Sequence, residues 1–192
     1  MPLAQTVDLS SVSGAEEIDE LTDAQHDEFD LFVGFDAGGT LGDGGNYNTG
    51  IGRKALTSIT SGTNNSALGS SAMFSNSSGS YNIAIGGSTL ASIVNTDYNV
   101  AIGNSALQYS TGSSNVANSK SGSVFIGYQA GYSETTSNKL YIENSNSVTP
   151  LIYGEFDNDV VQVNGALNVT DVLNLKPRAS APSSPEEGDI YF

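Results

Sequence analysis

The residues best equipped for chemistry are a set of carboxylates near one turn. Glu155, Asp157 and Asp159 alternate over five residues, and paired acids are what glycoside cleavage requires. Their turn context favours solvated carboxylates instead. His26, the only histidine, sits among Asp23, Asp27, Glu28 and Asp30. Imidazole beside carboxylates suits a metal ion, but a solvated acidic arm is the better reading. Serines are abundant, yet no repeat carries a histidine to activate one. Tyr47, Tyr81 and Tyr98 recur along the chain and read either as a sugar-binding stripe or as stacked aromatics shielding a corner. No catalytic residue, cofactor site or metal site is assigned from these residues.

Two weaker motifs complete the search. Gly38 to Gly45, with Asp43, has the small residues and the carboxylate of a calcium-binding turn. It occurs once, however, and Asp43 has no counterpart 17 residues on. Asn76-Ser77-Ser78 and Asn168-Val169-Thr170 fit the N-glycosylation pattern.

Charge narrows the range of partners. The 192 residues carry 21 Asp and Glu against 6 Lys and Arg, a net charge of −15. Phosphate binding needs clustered cations, so nucleic acid is excluded as a partner. Ten of the acids fall in residues 1–36, whereas residues 44–133 hold only Asp97. The nearly uncharged middle is built from Gly, Ser, Asn, Thr, Ala and Ile. Such a composition means either disorder or a solenoid, and periodicity separates the two. There is no cysteine, hence no disulfide framework. No apolar run reaches the ~18–20 residues of a membrane span, so no membrane insertion is expected. The N-terminus lacks the basic leader and apolar stretch of a secretory signal.

The elements that must position these residues announce themselves as a repeat. Asn48, Asn65, Asn82 and Asn99 are spaced by 17, as are Gly52, Gly69, Gly86 and Gly103. Ile51, Leu68, Ile85 and Ile102 precede those glycines, and Leu56, Met73, Leu90 and Leu107 follow four residues later. Phe32-Val33-Gly34-Phe35-Asp36-Ala37-Gly38 and Phe125-Ile126-Gly127-Tyr128-Gln129-Ala130-Gly131 are outlying copies. The first coil carries one extra residue and the last an insertion of seven. Asn99-Val100-Ala101-Ile102-Gly103 alternates two faces. Stacked coils ~4.8 Å apart pair such short strands along their length, and aligned Asn side chains form a hydrogen-bonded ladder. Val100, Ile102 and Leu107 are expected to face inward, and the alanine face outward. At about 1.5–3 kcal/mol per buried aliphatic side chain so thin a core is marginal against chain entropy. Association through the alanine face is therefore expected.

The chain divides into an acidic arm (1–31), a six-rung β-solenoid (32–132), a β-rich module (133–176) and a Pro/Ser-rich linker with a strand start (177–192). Within the arm, Ile18 and Leu21 suit a short helix from about Ser13, or an extended arm. The fold class is all-β: a parallel β-roll of 17-residue coils, followed by short strands.

Asn82-Ile83-Ala84-Ile85-Gly86 and Asn99-Val100-Ala101-Ile102-Gly103 resemble the head repeat of trimeric autotransporter adhesins, which is usually about 14 residues long. The longer unit here, from Phe125 to Gly131 and then Lys139-Leu140-Tyr141-Ile142-Glu143-Asn144, is similar to phage tail-fibre proteins. Leu151 to Phe156 and Val163 to Val169 strengthen that likeness. The resemblance implies an intertwined parallel homotrimer, a trimeric fibre module after the coils, and a virion or cell-surface location. It implies a structural, non-enzymatic fibre subunit for attachment, with a polysaccharide-degrading tailspike as the alternative. Other fibre or baseplate proteins and a cell-surface glycan or receptor are the expected partners, and no cofactor is expected. The inserted loop Ser113, Ser114, Asn115, Val116, Ala117, Asn118 and Ser119 is the candidate contact site, since solenoids carry variation on loops.

Overall fold

The computed structural model describes residues 24–26, 29–39, 45–108 and 121–173. The described residues are all-β, with no helix. Ten strands form a single sheet whose spatial order is their chain order. They are β1 (Ala24–His26), β2 (Leu31–Val33), β3 (Thr49–Ile51), β4 (Ser66–Leu68), β5 (Ile83–Ile85), β6 (Val100–Ile102), β7 (Val124–Ile126), β8 (Lys139–Ile142), β9 (Ile152–Glu155) and β10 (Val160–Val163). Strands β2 to β8 pair in parallel, each on the next. Seven parallel strands mean six turns of solenoid. Antiparallel strands close both ends, β1 on β2 and β9–β10 on β8.

Three-residue strands hold because pairing continues around the coil. The amides of Gly52, Gly69, Gly86, Gly103 and Gly127 each donate to a carbonyl one coil back, at 2.8 Å. On the far side Leu56, Met73, Leu90 and Leu107 donate forward, to the alanine or threonine carbonyl of the next coil. Inserted residues leave the register intact. Val100 faces Val124 across 24 residues just as Ile83 faces Val100 across 17. The sheet also runs on across the boundary expected at residues 132/133, because β8 is a seventh parallel strand.

The faces of the strands are the reverse of the expectation. Ala67, Ala84 and Ala101 are buried, whereas Ile83, Ile85 and Ile102 point outward and are more than a third exposed. Only the Leu107 column faces inward as expected: Leu56, Met73, Leu90 and Leu107 are fully buried. The reason is room. In the four exact repeats a long side chain enters from the corner, at φ of 45° to 53°, and with Ile59 or Ile93 buried in two of those coils as well there is space for little more than a methyl group on the strand.

The outlying coils show that this is a volume constraint. Where the inward strand residue becomes Phe32 or Phe125, the corner residue becomes Gly38 or Gly131. A Cβ at Gly38 would lie 2.5 Å from the Phe32 ring, and one at Gly131 would lie 2.2 Å from the Phe125 ring. Alanine with leucine, or phenylalanine with glycine, fills one cross-section. Interiors at crystal-like density demand such matching.

The predicted asparagine ladder is present and fully buried. Asn65 Nδ2 donates to Asn48 Oδ1, Asn82 Nδ2 to Asn65 Oδ1, and Asn99 Nδ2 to Asn82 Oδ1, each at 3.0 Å. Each Oδ1 also accepts the next asparagine's backbone N–H, at 3.1 Å. Asp30 Oδ1 begins the column by accepting the Asn48 N–H at 2.6 Å. Ser123 continues it by donating its N–H to Asn99 Oδ1 at 3.1 Å. Asn82→Ala would strand the Asn99 amides and the Thr96 carbonyl, which accepts from Asn82 Nδ2 at 2.6 Å. Buried unsatisfied groups cost about 1–3 kcal/mol each, so a loss of at least ~3 kcal/mol in urea unfolding is expected. An Asn82→Ala protein that melts like the parent would show that the ladder contributes nothing.

Candidate functional site

The candidate site is the outward face of the sheet, because the repeat places its large apolar side chains there. Alternation through Tyr47, Thr49, Ile51 and Arg53 sets four columns side by side. The outer columns are aromatic in places, with Phe29, Tyr47, Tyr81 and Tyr98 along one margin and Phe35 and Tyr128 along the other. The first inner column runs from Leu31 to Val161 and admits Thr49, Ser66 and Gly154.

The second inner column admits no polar residue. Val33, Ile51, Leu68 and Ile85 occupy it on β2 to β5. Register carries it to Ile102, Ile126 and Ile142 on β6 to β8. Antiparallel pairing then adds Ile152 and Val163. Nine consecutive strands thus present an aliphatic side chain on the outside of the coil. Sheets with one wet face normally put polar residues outward. On β3 to β6 the small Gly50, Ala67, Ala84 and Ala101 point in, and Ile51, Leu68, Ile85 and Ile102 point out.

The aromatic margins are organised by the same spacing. Tyr81 and Tyr98 lie on successive coils with ring centroids 5.1 Å apart and planes within 4°. Tyr47 cannot join them, because Asn64 holds the intervening position, and it tilts against Phe29 at 5.1 Å. Tyr47, Tyr81 and Tyr98 adopt φ of 66°, 59° and 61°. Tyr81 and Tyr98 spend one ring face on each other, and both remain more than half exposed. The two coils thus carry a stacked aromatic pair at one corner, and the stripe expected through Tyr47 is interrupted at Asn64.

The acids singled out from the sequence lie at and beside β9. Lys139 Nζ donates to Glu155 Oε1 at 2.8 Å, and the Tyr153 hydroxyl donates to the same oxygen at 2.5 Å. The Lys139 hydrogen bond, then that of Tyr153, draws the Glu155 carboxyl down to about 2. Glu155 in turn raises the Lys139 ammonium above its ordinary value. Stabilisation as an anion runs against the role of proton donor, for which a general acid needs a raised pKa. Asp157 and Asp159 are exposed in the β9–β10 turn.

Glu134 binds beside this cluster. Its Oε1 accepts from the Thr135 and Thr136 amides, and its Oε2 accepts the Tyr141 hydroxyl at 2.6 Å. Burial, with that bond to a carboxylate, pushes the Tyr141 hydroxyl up. Desolvation opposes ionisation of Glu134, but the hydrogen bonds together outweigh it and lower its carboxyl. Tyr141 and Tyr153 meet edge to face at 5.5 Å. Every polar member found here has a partner, and the cluster closes the end of the solenoid.

The other sequence candidates separate cleanly. Ser113, Ser114, Asn115, Val116, Ala117, Asn118 and Ser119 lie outside the described residues. So do Asp43 of the calcium motif and the arm segment around Ser13, while His26 enters only as backbone, in register with Leu31. Asn76 is no glycan acceptor as placed. It is buried, its Nδ2 donates to the Gly79 carbonyl, and its Oδ1 accepts the Gly79 amide, both at 3.0 Å.

The outward aliphatic column was the feature missed by sequence reasoning. Its signal was present in the size exchange between Phe125 and Gly131, which marks the inward strand position. Compared with known proteins, the chain matches no family, no curated sequence and no solved structure.

Proposed function

We propose that this chain is a structural, non-enzymatic subunit of a homotrimeric fibre, of the phage tail-fibre or surface-adhesin kind. It would act in a virion or at a cell surface, holding a stiff shaft against a receptor or a neighbouring fibre protein. The unbroken aliphatic column on the outside of a regular coil stack is the observation that supports this reading. One chain alone leaves that surface in water, and assembly removes it. Stiffness supports it too, because every coil is tied to the next through strands, corners and the asparagine ladder. Among the rival readings, a glycan-cleaving tailspike loses its best acid, since Glu155 is already committed to Lys139 and Tyr153.

Size-exclusion chromatography with light scattering is expected to give three times the chain mass of 19.8 kDa. Electron micrographs of the same sample should show short rods. A stable folded monomer at micromolar concentration overturns the reading.

A further inference from the structure

The geometry points to the column from Val33 to Val163 as the seam at which copies of this chain meet, parallel and in register. This inference rests on the fibre reading and adds to it the polarity and the register of the contact.

Three observations carry it. The first is continuity. The column passes over parallel and antiparallel strands alike without a polar residue, although turns and insertions between those strands vary in length. Its neighbour, one column away on the same face, tolerates threonine, serine and glycine.

The second observation is area. Eight strand spacings of ~4.8 Å make the face ~38 Å long, and six residue steps of at most ~3.3 Å between its margins make it no more than ~20 Å wide. The product, at most roughly 760 Å², approaches the ~800 Å² per partner of a stable interface. Another copy of the same chain supplies an equally long apolar ladder with the same step. No partner lacking that step would match it rung for rung.

The third observation sets polarity. Beyond β10, Leu167, Val169 and Leu173 fall on the same parity as Val161 and Val163, with Gly165 and Asp171 between them, and the five apolar residues are exposed, Leu167 to 66% and Leu173 to 58%. In a parallel assembly these extensions from each copy meet beyond the last strand. In an antiparallel pair they would overhang at opposite ends, with nothing apolar beside them.

The absence of cysteine makes a direct test possible with single-cysteine variants of the full chain. Ile102 is the fifth of the nine positions, so Ile102→Cys lies at the middle of the seam in either polarity. Val33→Cys lies at one end and meets its own kind only if copies run parallel. Ser92→Cys, exposed on a far turn, is the control. Under mild oxidation both seam variants should form disulfide-linked dimers. In a trimer one disulfide leaves the third chain unlinked, so about two thirds of the protein should be in dimer. Ser92→Cys should stay unlinked. A second arm, Ile85→Asp with Ile102→Asp, should retain a β-type circular dichroism spectrum and run as a monomer.

Cross-linking through Ile102→Cys without Val33→Cys would overturn the parallel register. No cross-linking at either position, with the double aspartate variant still oligomeric, would overturn the seam while leaving a fibre trimer standing. A monomeric parent chain would remove the fibre reading itself, and the seam with it.

Discussion

Gly86→Val should unfold the central coils of the solenoid, lowering stability by at least ~4 kcal/mol, at the extreme of single-residue effects. Gly86 adopts φ of +132°, a region that a β-branched side chain avoids. Space is the larger obstacle. A Cβ there would lie 2.6 Å from both the carbonyl carbon and oxygen of Gly103. Relief would require prising two coils apart at a corner where the Gly86 amide donates to Leu68 O and the Gly103 amide to Ile85 O, both at 2.8 Å. The adjacent glycine is the control. A Cβ at Gly87 meets the Asn104 side-chain amide at 2.8 Å, a flexible group on an exposed corner. Gly87→Ala should therefore cost less than about 1 kcal/mol, since surface substitutions are usually mild. Urea unfolding of the two variants side by side decides the matter. Equal midpoints would mean that the corner is not where the backbone is tightest.

Phe125→Ala combined with Gly131→Leu should restore much of what each change loses alone. Removing the buried Phe125 ring leaves a cavity, which typically costs ~3–5 kcal/mol. Adding leucine at Gly131 drives its Cβ to within 2.2 Å of that ring, an overpacking that costs ~1–3 kcal/mol or more. Together the two changes rebuild the cross-section of the coils that carry Ala84 with Leu90 and Ala101 with Leu107. The backbone should not object, because Gly131 has φ of 59° and the buried leucines and methionine of that column have 45° to 53°. A double-mutant cycle should then show favourable coupling of roughly 1–3 kcal/mol, as expected for residues sharing a cavity. Tyr141 limits the recovery, since its ring lies 5.5 Å from Phe125 and loses that neighbour in both the single and the double variant. Additive losses would show that the Phe/Gly and Ala/Leu coils are unrelated solutions.

Much of the fold was legible from spacing, because stacking is a local rule repeated. Seventeen-residue recurrence of Asn82 and Asn99 dictates that each meets its equivalent one coil on, and the ladder at 3.0 Å follows. Recurrence of Gly69 and Gly86 likewise dictates a corner where successive backbones nearly touch. The role of Lys139 to Ile142 was less legible. Its sequence departs from the repeat, and only the pairing of Leu140 with Val124 identifies a seventh parallel strand.

Alternation in Val100-Ala101-Ile102 separates two faces of a strand but does not say which is inside. Assigning the larger side chains inward follows the ordinary hydrophobic rule, and it fails here because the coil is narrow. Leu107 already fills the interior from the opposite corner, so the strand can offer only Ala101 to the core, and Ile102 must stand outside. The amino-acid sequence by itself determined the period, the corners and the polar ladder, since each depends only on equivalent residues stacking. The tertiary structure alone decided the inward and outward faces, because that choice depends on the volume enclosed when distant corners of one coil close upon each other.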